Sequence, residues 1–387
     1  MALKLKIIFL ITEDWYFWSH RLPIARAARD AGFEVLIATR VNQHRSLINK
    51  EGFKLIPIGL KRRSKNVVKE IFSIIEVIRI YRREKPDIVH HVAVKPVLYG
   101  SWATRIASIS GVVNALAGLG FIFVAEGWKA KALKRFVFFA YRTAFSSKNT
   151  IGIFQNPEDM RLFIDVGVVK REKAVLIRGS GVDVSYFEHL PEPAGIPIIL
   201  LASRMLWDKG VGEFVDAARQ LRKDGVACRI VLVGVPDPEN PASIPEETLR
   251  GWHTEGIVEW WGYREDMSKV LSQAHIVALP TTYGEGVPKI LIEAASCGRA
   301  IVANDVPGCR ELVRNNENGF LVHPRDSKSL ADALKTLIEN PKLRAKMGAK
   351  GREIVESEFS EEIVVRQTME IYKEILLSKN KSSKIKR

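Results

Sequence analysis

Thr281-Thr282-Tyr283-Gly284-Glu285-Gly286-Val287-Pro288-Lys289-Ile290-Leu291-Ile292-Glu293 follows an apolar run, Ile276–Leu279, and leads into an apolar stretch with helical spacing. A strand, a glycine-bearing loop and a helix in that order form one unit of a doubly wound α/β sheet, and ligands bind such sheets beyond the carboxyl ends of the strands. Pro288 suits the first helical turn, where its missing N–H would be unpaired anyway. Gly284 and Gly286 let the backbone approach a ligand closely. The amides of Gly286, Val287 and Lys289 would stand at the positive end of the helix dipole, a ready anion site. Glu285 lies at the helix entrance, and Glu293 sits roughly 7–8 Å along the axis from Pro288 at 1.5 Å per residue. Two carboxylates so placed reach different parts of one elongated ligand. Most pairs of glutamates are instead a loop residue and a solvated helix residue. Here Glu293 stands within Ile290–Ala295, an almost wholly apolar segment, where a carboxylate needs a partner or a polar ligand.

Upstream, Ser203-Arg204-Met205-Leu206-Trp207-Asp208-Lys209-Gly210 follows the apolar strand Ile198–Ala202. Arg204 offers a planar fork and Lys209 a point charge to two phosphates, although two solvated surface cations are an equal alternative from this stretch alone. Further strand–helix pairs follow: Gly212–Asp224 (helix), Arg229–Val233, Ile257–Trp261 with Met267–Gln273, Ile301–Ala303, and helices after Ser327 and Ser360. Ahead of them, Pro191–Pro197 is proline-rich, as interdomain linkers are. The first half shows the same alternation. Lys6–Ile11 reads as a strand, Ser19 as the cap of a helix to about Ala31, Gly32 as its left-handed end, Glu34–Ala38 as a strand, Val67–Arg83 as a helix and Ile88–His91 as a strand. The chain of 387 residues is long enough for two domains. The expected division is 1–190, 195–358, a helix at about 360–378 that packs back on the first domain, and a disordered basic tail, 379–387.

Together these stretches resemble family 4 of the retaining glycosyltransferases, which share the GT-B fold. That family carries Glu, seven residues, then Glu, and Arg…Lys-Gly after the first strand of its second domain; both stand here in the same order. Leu232-Val233-Gly234 and Gly262-Tyr263-Arg264-Glu265-Asp266 match the strand ends whose backbone holds the donor base. The resemblance implies two Rossmann-like domains facing across a cleft, with a UDP-sugar as donor substrate. Arg204 and Lys209 would hold the donor diphosphate and neutralise the leaving group, a task a metal performs elsewhere. Glu293 would hold the ribose and Glu285 the transferred sugar, while Gly286, Val287, Pro288, Gly234, Tyr263 and Arg264 complete the donor site. No protein nucleophile, metal or other cofactor is implied.

The first domain would hold the acceptor. Glu13-Asp14-Trp15-Tyr16-Phe17-Trp18-Ser19-His20-Arg21 follows the first strand, and its aromatics must pack into the core or onto a ligand. Trp18, His20 and Arg21 are acceptor candidates. Val94–Gly100 with Lys95, Ala117–Phe123 with Gly118 and Gly120, and Phe154–Asp159 resemble bacterial enzymes that extend sugars on undecaprenyl diphosphate. Lys95 is either a contact for an acceptor phosphate or a plain surface lysine. Many family members carry a histidine where Gly118-Leu119-Gly120 stands; His20, His90 or His91 are substitutes, and the last two also read as buried structural histidines.

The formal net charge of +15 attracts polyanions, yet no zinc-finger spacing, RNA-binding aromatic signature or arginine-rich arm points to nucleic acid. Lys129–Lys148 interleaves cations with Phe136, Phe138, Phe139 and Phe145, and Lys61–Lys69 is a second basic run. Such a helix lies either on an anionic membrane or half-buried with a solvated face. Ile7–Ile11 is too short for a signal sequence, and nothing reaches the roughly 18 apolar residues of a spanning helix. Three scattered cysteines form no disulfide framework. The expectation is a cytoplasmic enzyme, peripheral on the inner leaflet of the plasma membrane. Two alternatives share the fold: a nucleotide-sugar epimerase, and a membrane scaffold that only binds nucleotide sugar. The lack of Gly-x-Gly-x-x-Gly after either first strand argues against a dehydrogenase.

Overall fold

The computed structural model describes residues 4–62, 66–118, 128–282 and 284–384. They form two compact units, residues 1–180 with 362–387 and residues 181–361.

The first unit is built on seven parallel strands: β1 (Lys6–Glu13), β2 (Glu34–Arg40), β3 (Lys54–Pro57), β4 (Ile88–Val92), β5 (Gly111–Leu116), β6 (Thr150–Phe154) and β7 (Ala174–Leu176). Their order across the sheet is β3-β2-β1-β4-β5-β6-β7. The central strands are buried and mostly apolar because helices cover both faces, as a parallel sheet requires, with His90, His91 and Asn114 as buried polar exceptions. On one face Phe9, Val35, Ile88 and Val113 pack with Ile371, Tyr372 and Ile375; on the other Ile8, Leu36 and Val89 pack with Val77 and Tyr81. The first set of partners belongs to the long C-terminal helix, Glu361–Lys384, which completes the core of this unit.

The second unit carries six parallel strands, β8 (Ile198–Ala202), β9 (Arg229–Val233), β10 (Glu259–Trp260), β11 (Ile276–Leu279), β12 (Ala300–Asn304) and β13 (Gly319–Val322), in the order β10-β9-β8-β11-β12-β13. In each sheet the order reverses beside the first strand, between β1 and β4 and between β8 and β11. Ligands bind doubly wound sheets at such switch points.

Several elements differ from the sequence reading. The division falls between Ser180 and Gly181, before the proline-rich stretch. Glu13–Arg21 is not a loop: Asp14–His20 is a helix of its own, and Leu22–Asp30 is the next. Ser19 caps nothing, since its hydroxyl donates back to the Trp15 carbonyl at 2.8 Å within the first of these helices. Burying Phe17 while keeping Asp14 against the backbone of Asn42 and His44 holds this short helix in place. Pro288 is the N-cap rather than the first helical residue. The C-terminal helix continues through the basic segment to Lys384 instead of ending at 378.

Candidate functional site

Both motif stretches leave the sheet of the second unit at its switch point, one from β8 and the other from β11. Lys209 closes a short 3-10 turn, Trp207–Lys209, and Gly210 follows with φ 75°. A Cβ on Gly210 would lie 2.0 Å from the Pro280 carbonyl oxygen, so only glycine lets this turn press against the strand end. The turn is also stitched to the neighbouring loop, because the Thr282 amide donates to the Asp208 carbonyl at 3.0 Å. Lys209 Nζ therefore reaches Glu285 Oε1 at 2.5 Å, and the Thr281 hydroxyl donates to the same oxygen at 3.0 Å. Both charged side chains are less than one-fifth exposed. The result is a carboxylate fixed beside a cation, at the end of the sheet where a ligand is expected.

Arg204 is held differently. Its Nη1 donates to Asp237 Oδ2 at 2.6 Å, and the Asp237 backbone amide is anchored on the Ser243 hydroxyl at 2.9 Å. Glu293 finds the partner that its apolar surroundings demand: Lys289, one helical turn earlier, has Nζ 3.5 Å from its carboxylate. Burial pushes the Glu293 carboxyl above its ordinary value, and Lys289 opposes that shift only in part. Gly286, Val287 and Pro288 are buried in the loop. Gly308 of the neighbouring turn Pro307–Arg310 lies so close that a Cβ would meet the Gly286 carbonyl oxygen at 1.6 Å.

Gly234 and the Gly262–Arg264 segment are joined at the adjoining strand ends, where the Gly234 amide donates to the Gly262 carbonyl at 2.7 Å. Trp260 Nε1 donates to the Gly234 carbonyl at 2.8 Å. Tyr263 is exposed, and Arg264 forms a two-pronged pair with Asp266. The sequence reading missed Asp237, Thr281, Asn304 and Gly308. Asn304 ends an otherwise apolar strand, which is its signal; its Nδ2 donates to the carbonyls of Pro280 and Thr281 at 2.8 and 3.2 Å and fixes the start of the loop that follows β11.

In the first unit, the acceptor candidates lie around the β1/β4 switch point. Trp18 is partly buried with its ring beside His44, while His20 stacks on Tyr16 at 4.2 Å and its Nδ1 meets the Ser19 hydroxyl at 2.7 Å. Lys95 Nζ donates to both Glu70 oxygens and to the Lys61 carbonyl, all at 2.9 Å. A phosphate there would have to displace Glu70. Gly118 lies just past β5 with φ 95°; Gly120 and the rest of 119–127 lie outside the described residues. His91 is structural. Its two ring nitrogens meet the Tyr81 hydroxyl at 2.8 Å and Asn114 Oδ1 at 2.7 Å, and burial lowers its pKa to about 4. Arg21 and His90 are both buried.

Comparison with known proteins fits this geometry. A family model described as glycosyl transferases group 1 matches residues 196–340, and one described as glycosyl transferase 4-like matches residues 6–156. The N,N'-diacetylbacillosaminyl-diphospho-undecaprenol alpha-1,3-N-acetylgalactosaminyltransferase of Campylobacter jejuni is 27% identical over 96% of this chain and 99% of its own length. A UDP-Gal:alpha-D-GlcNAc-diphosphoundecaprenol alpha-1,3-galactosyltransferase of Escherichia coli is 25% identical over 70% of this chain and 71% of its own. Among solved structures, a glycosyltransferase from Rickettsia africae superposes with a TM-score of 0.77 at 20% identity, covering 96% of this chain and 99% of the other. Anabaena HepE in complex with UDP gives 0.74 at 20% identity, covering 96% and 100%.

Proposed function

The chain belongs to the group 1, GT4-like glycosyltransferases with the GT-B architecture, and on that premise we propose that it moves a hexose or N-acetylhexosamine from a UDP-sugar, with retention, to a sugar carried on a polyprenyl diphosphate. The observation that carries the donor half is the Lys209–Glu285 pair at the β8/β11 switch point, with Arg204 on the same strand end. Arg204 and Lys209 hold the diphosphate and stabilise the charge that develops on it as the glycosidic bond breaks. Glu285, fixed by Lys209 and Thr281, meets the transferred sugar, and Glu293 takes the ribose hydroxyls. The departing phosphate accepts the proton of the acceptor hydroxyl on the same face of the sugar. Neither a protein nucleophile nor a divalent metal takes part. The strand ends at Gly234 and Tyr263-Arg264 receive the base.

The acceptor half is supported by the full-length similarity to the Campylobacter enzyme, whose name specifies an undecaprenyl diphosphate carrier. Trp18, His20, Arg21 and Lys95 surround the switch point of the first unit and would face that substrate together with the Gly118–Gly120 segment. The enzyme works at the anionic inner leaflet of the plasma membrane as a peripheral protein. Support comes from the helix Val67–Glu84, whose first two turns expose Val67, Val68, Ile71 and Phe72 around Lys69, and from Trp128–Phe145, which exposes Leu133, Phe136 and Phe139 beside Arg135. No helix among the described residues is long and apolar enough to cross a membrane.

Titration with UDP-, GDP- and ADP-sugars tests the donor assignment. UDP-sugars should bind best, and Arg204→Ala or Lys209→Ala should each weaken UDP about 10- to 100-fold, since a charge-assisted hydrogen bond contributes about 1.5–3 kcal/mol. Uridine, which lacks the diphosphate, should bind both variants as it binds the wild type. Equal UDP affinity in all three proteins would remove the diphosphate from these two residues.

A further inference from the structure

Arg21 is a cation inside the first unit with no counter-ion among the described residues. Its side chain is 3% exposed, its Nε is buried without a hydrogen bond, and no described residue forms an ion pair with it. Neither carboxylate next to it in the chain pairs with it: Glu13 Oε2 accepts from Arg40 Nε and Asn42 Nδ2, both at 3.1 Å, and Asp14 Oδ2 accepts the amides of Asn42 and His44, while Asp14 Oδ1 is itself buried without a hydrogen bond. A guanidinium does not shed its proton, and a buried charge without a partner is strongly unfavourable. A second polar group here is also unsatisfied. His90, in the middle of β4 and fully buried, meets the Tyr372 hydroxyl through Nδ1 at 2.6 Å, while its Nε2 has no hydrogen-bond partner.

These groups share one neighbourhood. Burial holds the His90 imidazole well below its ordinary range, and the charge of Arg21 adds to that; the same charge opposes the upward push of burial on Tyr372. Arg21 is also the N-cap residue of the helix Leu22–Asp30, at the carboxyl edge of the sheet beside the β1/β4 switch point. A helix N-terminus favours an anion.

We propose that Arg21, His90 Nε2 and the N-terminus of the helix Leu22–Asp30 form a socket for one phosphoryl oxyanion, and that a phosphate of the acceptor's diphosphate fills it. The acceptor as source rests on the functional reading above; the socket does not. The anion supplies the charge that the folded protein lacks around Arg21, and with Tyr372 donating to Nδ1, His90 offers Nε2–H as a further donor.

Arg21→Met tests this in the full chain, because it keeps an unbranched apolar stem and removes the guanidinium charge. With UDP saturating the donor site, inorganic pyrophosphate and a short prenyl diphosphate should raise the melting temperature of the wild type and leave Arg21→Met unmoved, a loss of at least tenfold in apparent affinity. Arg21→Lys should keep a reduced shift, which controls for a Met variant that folds poorly. Without ligand, Arg21→Met should melt at or above the wild type, the opposite of what a structural arginine gives. A lower melting temperature for Arg21→Met together with an equal pyrophosphate response in all three proteins would overturn the socket. An Arg21-dependent shift produced by UDP alone would keep the socket and overturn the acceptor as its source. Neither result requires turnover, so failure of the transfer reaction would be seen separately.

Discussion

Glu293 shows what a single buried carboxylate does to the fold that carries it. It is buried on an apolar helix, with Lys289 at 3.5 Å as its ion-pair partner, and its carboxyl is held above the ordinary 4.5 chiefly by desolvation. A raised folded-state value means the fold prefers the protonated form. That preference contributes fully below about pH 4.5 and is lost as pH rises through the raised value. Glu293→Gln, neutral and of the same shape, should therefore resist urea better than the wild type at pH 7, with the gap closing as pH falls below 4.5. Urea melts at the two pH values read this directly. A variant less stable at pH 7 would show that the ionised carboxylate supports the fold. The demand for a partner was legible in the sequence, because a glutamate among Ile290, Leu291, Ile292 and Ala294 is conspicuous. That Lys289 meets the demand follows from the four-residue helical spacing. Asp237 was not legible: it lies in a loop, 33 residues after Arg204, and only the fold brings the two together.

At the scale of elements, function depends on how closely two loops approach. The Trp207–Lys209 turn reaches the β11 loop because Gly210 has no side chain and can adopt φ 75°. Gly210→Ala would put a methyl group against the Pro280 carbonyl and move Lys209 away from Glu285. A displacement of about 1 Å in a positioned group can lower a rate roughly 100-fold. The expected result is a loss of about that size in kcat/KM with uridine binding retained, measured by steady-state kinetics and titration; unchanged kcat/KM would show that the close approach is dispensable. Most strands and helices of the second unit stand where hydrophobic periodicity places them, as for Ile198–Ala202, Arg229–Val233 and Met267–Gln273. The region after β1 misled that reading because its polar and aromatic residues resemble a ligand loop. Phe17 enters the core while Asp14 satisfies backbone amides, and the segment folds as a short helix. Periodicity over seven residues is too brief to reveal this.

The whole molecule places one switch point in each unit, and the two carry different chemistry. In the second, cations are matched by carboxylates, Lys209 by Glu285 and Arg204 by Asp237, so an arriving diphosphate competes with groups already in place. In the first, Arg21 has no carboxylate partner among the described residues, and its Nε is buried without a hydrogen bond. In the reaction proposed above both substrates carry a diphosphate, and each arrangement has one to receive. The chain returns to its first unit at the end: Tyr372, on the last helix, touches His90 in β4 and couples the carboxyl-terminal segment to that switch point. The tandem sheets were legible because strand–helix alternation extends over hundreds of residues. The division at Ser180/Gly181 was not, because the proline-rich stretch Pro191–Pro197 belongs to the second unit, so its composition marks a loop of that unit and not the boundary.

The most direct measurement is transfer from a UDP-sugar to a synthetic polyprenyl diphosphate sugar in the presence of chelator, with the new linkage read by proton NMR and with Glu285→Ala in parallel. The account predicts a product with the anomeric configuration of the donor, undiminished by chelator and lost in Glu285→Ala. A product of inverted configuration, or transfer that survives Glu285→Ala unchanged, would contradict it.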